Sequence, residues 1–524
     1  MLKTKIADCL KKVIKESLPI EIFVPENEKF GHYSTNAALR LAKILKRNPM
    51  EIAEETSSKL KAQNLKFFEK IEVAAPGFIN FWLTPKVLQN ELKEILKQKE
   101  KYGSLKLGKN KKINIEFISA NPTGPLTIGN GRGGFCGDVL ANVLEKAGYE
   151  AVREYYINDT GEQIKKLGHS VLGDEQAVYE GDYIENLRKN IAEKNPVKVG
   201  EKVAKIILEE TIKPAVKKMG IRFDEWFSEK SLYKNQAVEK TINELEKKNL
   251  IYKKEGAIWF QSTKFGDDKD RVLIKADGEK TYFASDIAYL KNKFERNSDK
   301  LIIFLGADHF GYIGRMKAAA EALGYKKENL VFIIIQLVRL LKEGKEVRMS
   351  KRTGSYVTID ELIDEVGLDA ARFFFLMSSP DTHMNFDLDL AKEQSLKNPV
   401  YYAQYAAVRI QGILAKLKNS AKSKSAKDGK IDFNLLNTVE DINLTRMLAR
   451  FPEIVETAAE NYNPQALVRF ALDLSREFHN FYEKEKIIGE KQELVASRLE
   501  LIKAAQIVFK NLFNLLGISL PQKM

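Results

Sequence analysis

Cysteine is nearly missing from this sequence: two occur in 524 residues, Cys9 and Cys136, far apart in the chain. That excludes a disulfide framework and any CxxC zinc knuckle, so no structural zinc is expected and a reducing compartment, the cytoplasm, is. Long apolar runs are also absent. The longest, Leu301–Leu305 and Val331–Val338, have the length of buried strands, far short of the roughly 18–20 residues a membrane span needs. The segment from Met1 to Leu18 has no arginine and contains Asp8 and Glu16, so it is read as a domain's first helix rather than a transit peptide. No internal repeat is found. What is in excess is positive charge, a net +13 with an isoelectric point near 9.2. The basic residues are spread along the chain, which suits a large polyanion better than one small basic site, although a lysine-rich solvated surface has the same composition. At 44% apolar and 30% charged residues the chain is globular, and its length calls for about two to four domains.

Three regions differ in pattern. Residues 1–106 suggest a small α+β domain, with helical spacing over Asn36–Lys46 and Pro49–Lys61 and a strand–turn–strand over Ile71–Leu83 around Pro76-Gly77. The polar stretch Lys97–Lys112 is expected to be a linker. Residues 107–385 alternate strands (Ile113–Ile118, Glu150–Ile157, Lys300–Leu305, Leu330–Val338) with helices, the pattern of a Rossmann-type parallel α/β sheet, with an insertion over about 160–266. Residues 386–524 are helical throughout, with helices expected over Asn385–Lys418, Leu444–Tyr462, Pro464–Lys486 and Lys491–Leu516. Between the first two lies a lysine-rich loop, 416–430, read as solvated or as contacting phosphate.

Two loops carry the chemistry. Ser119–Gly133 follows a strand and opens a helix, the geometry that offers free N–H groups and a partial positive charge to phosphate. Pro122 and Pro125 fix the turn, and Gly124, Gly129, Gly131 and Gly133 permit close backbone approach. Thr127 and Asn130, three apart, face the same way on a nascent helix. About 215 residues later stands Arg348-Met-Ser-Lys-Arg-Thr-Gly354. An ammonium at Lys351 would stabilise charge developing on a pyrophosphate leaving group.

These loops resemble the HIGH region and the KMSKS loop (348–354) of class I aminoacyl-tRNA synthetases. The wording around them is narrower. Glu116–Pro125, Glu154–Asp159, Thr281–Tyr289, Gly306–Tyr312 and Asp369–Phe374 resemble arginyl-tRNA synthetase, as do Phe30–Asn36 and Pro76–Phe81. The resemblance runs almost to Met524. It implies an ATP-dependent ligase that joins L-arginine to AMP, releases pyrophosphate and transfers arginine to the terminal adenosine of tRNA(Arg), with Mg2+ accompanying ATP and the protein a monomer. Carried over residue by residue, Pro122, Gly124, Leu126, Thr127, Gly129, Asn130, Met349 and Lys351 would meet ATP. Thr127, Asn130 and Lys351 would take the catalytic roles.

Arginine itself would meet Glu116, Ser119, Asn121, Tyr282, Asp286, Asp308 and His309. A forked, permanently charged guanidinium independently calls for carboxylates in bidentate reach, which Glu116 and Asp286 could provide. Each also has a plain structural reading, Glu116 as an arginine's partner and Asp286 as a helix N-terminal acid. The first domain would read the tRNA D-loop through Phe78 and Asn80. The helical domain would bind the anticodon through Tyr401, Tyr402, Tyr405, Arg409 and Met524, aromatics that are equally suited to a core. The chain departs from the family where Thr127 and Asn130 replace two histidines, Arg348 replaces a lysine, and Ala407 stands where histidine is common. Neither Thr127 nor Asn130 can become cationic, which leaves a catalytically weak tRNA-binding homologue as the alternative.

Overall fold

The computed structural model describes residues 1–63, 66–189, 191–347, 357–419, 431–487 and 489–524, and for 417–419 the backbone only. Among the described residues no helix is long and apolar enough to cross a membrane.

The chain opens with helix Leu2–Val13 and a four-stranded antiparallel sheet in the order Ile22–Phe23, Tyr33–Thr35, Phe78–Leu83, Phe68–Ala74. Helices Ala37–Leu45 and Pro49–Ala62 lie against it. The second of these starts where expected because Asn48 accepts a hydrogen bond from Met50 N and proline occupies the first turn. Helix Pro85–Gln98 then packs on helices Val439–Ala449 and Gln492–Leu516 of the far end of the chain. The stretch expected as a linker is tied down: Leu105 and Leu107 N–H groups bond the carbonyls of Lys146 and Ala147.

The central sheet is parallel throughout, in the order Leu330–Ile335, Lys300–Gly306, Lys112–Glu116, Glu150–Ile157, Glu225–Ser228. The chain begins in the middle, winds outward, and returns to the other side. The reversal falls between Lys112–Glu116 and Lys300–Gly306, and open α/β sheets bind their ligands at such a point, outside the carboxyl ends of the strands. Four expectations need correction. The helix expected over Leu444–Tyr462 is two, Val439–Ala449 and Phe451–Glu460, because Pro452 opens a new first turn. The 160–266 stretch is not one insertion, because Glu225–Ser228 is the edge strand of the main sheet. Leu330–Val338 is not one strand. The chain turns at Gln336, whose N–H bonds Pro380 O, and Val338–Lys342 enters a separate sheet beside Met384–Asp387 and Lys345–Glu346. The first C-terminal helix spans Pro399–Asn419, since Met384–Asp387 is a strand and Leu388–Lys392 a separate short helix.

The remaining helices are Val439–Ala449, Phe451–Glu460, Gln465–Lys484 and Gln492–Leu516. They share one continuous core with the parallel sheet. Arg372, 1% exposed, pins that junction. It donates to Leu516 O (2.6 Å) and Met219 O (3.1 Å) and pairs with Asp138 of helix Ile128–Lys146.

Candidate active site

The first loop leaves the central strand through two left-handed residues, Ile118 (φ 66°) and Ser119 (φ 38°). For a β-branched side chain that conformation costs on the order of 1–3 kcal/mol, and the neighbours hold it. Ser119 Oγ accepts from Tyr156 N (3.0 Å), the Tyr155 hydroxyl donates to Ala120 O (2.8 Å), Asn121 Nδ2 donates to Gln163, and the Tyr183 hydroxyl donates to Thr123 O (3.0 Å). Helix Ile128–Lys146 follows. At its start Asn130 Oδ1 accepts from both Thr127 N (2.9 Å) and Thr127 Oγ1 (3.0 Å), so the two residues standing in for histidines are bonded to each other. Pro122, Gly124 and Leu126 complete the loop, with Pro122 and Leu126 buried. A Cβ on Gly129 would meet only Thr127 Oγ1 at 3.6 Å, which leaves that face open to a ligand. Gly131 differs from the expectation: a Cβ there would lie 2.4 Å from Ile359 Cδ1, so its small size serves packing.

The second loop lies outside the described residues, and Arg348, Met349 and Lys351 with it. Its flanks are described. On one side Val347 N bonds Leu340 O (2.9 Å). On the other, Thr358 forms a β-bridge to Thr127, Ile359 N bonds Leu126 O (3.0 Å), and Thr358 caps helix Ile359–Val366 in a reciprocal box with Glu361. The chain that follows the second loop therefore lies directly against the first.

Beside them helix Tyr282–Glu295 places Tyr282, Asp286, Tyr289 and Lys293 along one face, at i, i+4, i+7 and i+11. Tyr282 is 50% exposed at the mouth, and its hydroxyl accepts from Glu162 N (3.3 Å). Asp286, half-buried, is pushed up to about 7, chiefly by burial, with the charges of Glu229 and Glu116 adding. A hydrogen bond from Tyr312 and the charge of Arg315 act the other way. Glu229, 2% exposed, is likewise raised to about 7 by burial, against hydrogen bonds from Ser285 and Tyr156. Asp159 adds to the rise, and is itself held by Ser228 Oγ (2.5 Å) and Lys230 N (2.9 Å). Glu229, Tyr312, Tyr156 and Ser285 were missed in the sequence. Tyr156 and Tyr312 lie inside the quoted Glu154–Asp159 and Gly306–Tyr312 stretches, but Glu229 had no local signal.

Glu116 takes the structural alternative in part: it is paired with Lys293, a lysine with no exposure, whose ammonium also sits 4.3 Å from the Tyr289 ring centre. Below this pair Glu154 is held by Asn114, Tyr289 (2.5 Å) and Arg296 (2.8 Å). Burial alone would raise its pKa, yet Lys293 and Arg296 keep it below the usual carboxylate range. Asp308 and His309 stand exposed on the turn after Lys300–Gly306, 3.6 Å from each other. Tyr312, not either of these, reaches Asp286.

The residues expected at RNA lie in two other places. Phe78 is half-buried, edge-on to Phe23 at 6.1 Å. Asn80 is 3% exposed, and its Oδ1 accepts from Ser34 Oγ (2.7 Å). In the helical domain Tyr401 and Tyr405 stack at 6.3 Å. Arg409 lies between the Tyr405 and Tyr482 rings (4.5 and 4.8 Å), and Tyr402 packs edge-on to His479. Tyr482 was missed in the sequence. Met524 is 42% exposed. Of the lysine-rich loop, residues 420–430 lie outside the described residues.

Known proteins divide the chain in the same way. Residues 1–83 match the arginyl tRNA synthetase N terminal domain, residues 91–187 and 174–376 the class I (R) tRNA synthetase catalytic domain, and residues 403–524 the DALR anticodon binding domain. The arginine–tRNA ligase of Carboxydothermus hydrogenoformans is 42% identical over 97% of this chain and 95% of its own length. That of Bacillus subtilis is 42% identical over 99% of this chain and all of its own. The Thermus thermophilus arginyl-tRNA synthetase structure superimposes over the whole of both chains with a TM-score of 0.81 at 21% identity, a likeness of fold. With three domain matches in order and end-to-end similarity above 40%, the chain belongs to the arginyl-tRNA synthetases of class I.

Proposed function

We propose that this protein is an arginine–tRNA ligase: it activates L-arginine with ATP and transfers it to the 3′-terminal adenosine of tRNA(Arg). The observation that carries the substrate is the carboxyl pair Glu229 and Asp286. Among the described residues neither forms an ion pair: Glu229 meets the Ser285 and Tyr156 hydroxyls and the Asn158 amide, and Asp286 meets the Tyr312 hydroxyl, with the more distant charge of Arg315 also opposing the rise. A buried pair of unneutralised carboxyls is costly, and a guanidinium entering between them relieves that cost. Lysine could not satisfy both in a planar fork, and a neutral side chain would leave them unpaired.

In this reading Tyr282 closes the mouth and Asp286 and Glu229 take the guanidinium. Glu116, held by Lys293, lends negative charge to the pocket floor, and Ser119 and Asn121 face the substrate's backbone end. Asp308 and His309 border the mouth. The arginine carboxylate attacks the α-phosphate of ATP, the α–β phosphoanhydride bond breaks, and pyrophosphate leaves. The helix start at Thr127–Asn130 and the Lys351 ammonium stabilise the charge that develops. A ribose hydroxyl of the tRNA terminus then attacks the mixed anhydride, and AMP leaves. No group of three or more metal-ligating side chains converges among the described residues, so Mg2+ would arrive on the ATP phosphates. Phe78 and Asn80 would serve the D-loop. Tyr401, Tyr402, Tyr405, Arg409 and Met524 would serve the anticodon. The protein would act as a monomer in the cytoplasm.

No observation favours the inactive alternative. Thr127 and Asn130 form an intact helix cap, and neutral donors there leave the cationic task to Lys351 and Arg352. Arginine-dependent exchange of pyrophosphate into ATP, measured with and without tRNA(Arg), tests the first step. Exchange is expected with tRNA present, and none even with cognate tRNA would contradict the proposal.

A further inference from the structure

The N-terminal domain rests on the helical domain through a buried carboxylate that the proposed reaction does not use. Glu453, in the first turn of helix Phe451–Glu460, is 5% exposed. Its Oε1 accepts from Lys3 N at 2.9 Å, and the Tyr33 hydroxyl lies 3.1 Å from both of its oxygens. Tyr33 is 1% exposed and belongs to the sheet of the N-terminal domain. Two further ion pairs flank this contact, Lys3 with Glu456 and Glu28 with Arg446. The Tyr102 ring stacks on Phe451 at 6.3 Å, and Ala449 is part of the N-terminal domain's own core.

A carboxylate removed from water persists where donors replace the water. The donors to Glu453 come from the other domain, so separating the domains would strand it. The line also continues toward the RNA candidates. Ser34, next to Tyr33, pairs with Asn80 across the sheet and by side chain at 2.7 Å, and Phe78 lies two residues away on the same strand.

We propose that Glu453 and Tyr33 form a latch that fixes the spacing of the two RNA-contacting domains, so that one tRNA engages both without first ordering them. The inference rests on the tRNA-binding reading above. Two modules on a fixed frame bind with a high effective concentration for the second contact, and that advantage falls when their geometry loosens. Glu453 and Tyr33 are positioning residues; neither is placed at substrate.

The test uses full-length Tyr33→Phe and Glu453→Gln proteins with the same tRNA(Arg) transcript. The dissociation constant for tRNA is read by fluorescence titration, beside KM for tRNA, KM for arginine and kcat per titrated active site. Both variants should weaken tRNA binding about tenfold, with kcat and the arginine KM within about twofold of wild type at saturating tRNA. The double variant should be no weaker than the weaker single one. Tyr33→Phe keeps the ring and loses one hydroxyl, so it decides the matter where Glu453→Gln does not fold. Unchanged tRNA affinity in folded Tyr33→Phe, with at most a lower melting temperature, overturns the latch. Failure of the wild type to charge tRNA overturns the proposed function instead, and the binding titration still tests the latch.

Discussion

The affinity for arginine should depend on pH through Asp286 and Glu229. Both carboxyls titrate near 7 in the empty protein: burial raises each, and Tyr312, Ser285 and Tyr156 offset it only in part. The guanidinium keeps its charge across the range, so the pocket is what titrates. Ionised carboxylates bind it and protonated ones do not, so KM for arginine should fall as pH rises through 7 and level off above about 8. For one group near 7 the ionised fraction changes about tenfold between pH 6 and 8; with both groups titrating the change approaches a hundredfold at most. Stability runs the other way. An unfolded carboxyl titrates near 4, so between about pH 4 and 7 the folded protein holds more protons than the unfolded chain. Stability of the empty protein therefore falls as pH rises through that window, by at most about 1.4 kcal/mol per pH unit for each group. Saturating arginine should recover much of the loss. Initial-rate charging from about pH 6 to 8.5, with KM for ATP as the control, reads the first effect, and melting temperatures with and without arginine read the second. An arginine KM that is flat over this range would refute the assignment of the two carboxyls.

Other outcomes follow from the same geometry. Glu229→Gln should raise KM for arginine by about 10- to 100-fold, the loss of one charge-assisted contact, with KM for ATP unchanged in the same assay. Lys351→Ala should lower kcat for charging by about 100- to 1,000-fold while tRNA binding persists in a filter or fluorescence assay. Arg372→Met removes one of the two cations at Asp138, leaving only Arg153 at 3.6 Å, and leaves two carbonyls without their donor. It should cost about 3–5 kcal/mol in denaturant unfolding, visible as a lower midpoint.

Much of the frame was legible in the sequence where a residue's role is local. Strand Glu150–Ile157, the Pro76-Gly77 hairpin and the helices opened by Asn48 and Thr127 each carry their own signal of alternation, turn or cap. What failed depends on distant partners. The run Leu330–Val338 gives no hint of its break, because the break is made by Pro380 and by Arg132, which donates to Gln336 O (2.9 Å). The strand Glu225–Ser228 is four residues long and half-buried, with no apolar run to betray it, and Glu229 follows it. Glu116 could be placed in the pocket from its motif, but its partner Lys293 stands 177 residues away and reads as an ordinary helix lysine. The helix expected over Leu444–Tyr462 has the right periodicity on both sides of Arg450, so the break between Ala449 and Phe451 left no trace except Pro452, which opens the second helix.

The central claim is that the pocket of Asp286 and Glu229 selects arginine for transfer to tRNA. Charging of tRNA(Arg) by the full-length protein, with ATP and each of the twenty amino acids in turn, tests it most directly. The account predicts acid-labile aminoacyl-tRNA with arginine and background with lysine and the rest. Charging with a different amino acid, or with none while tRNA still binds, would contradict it.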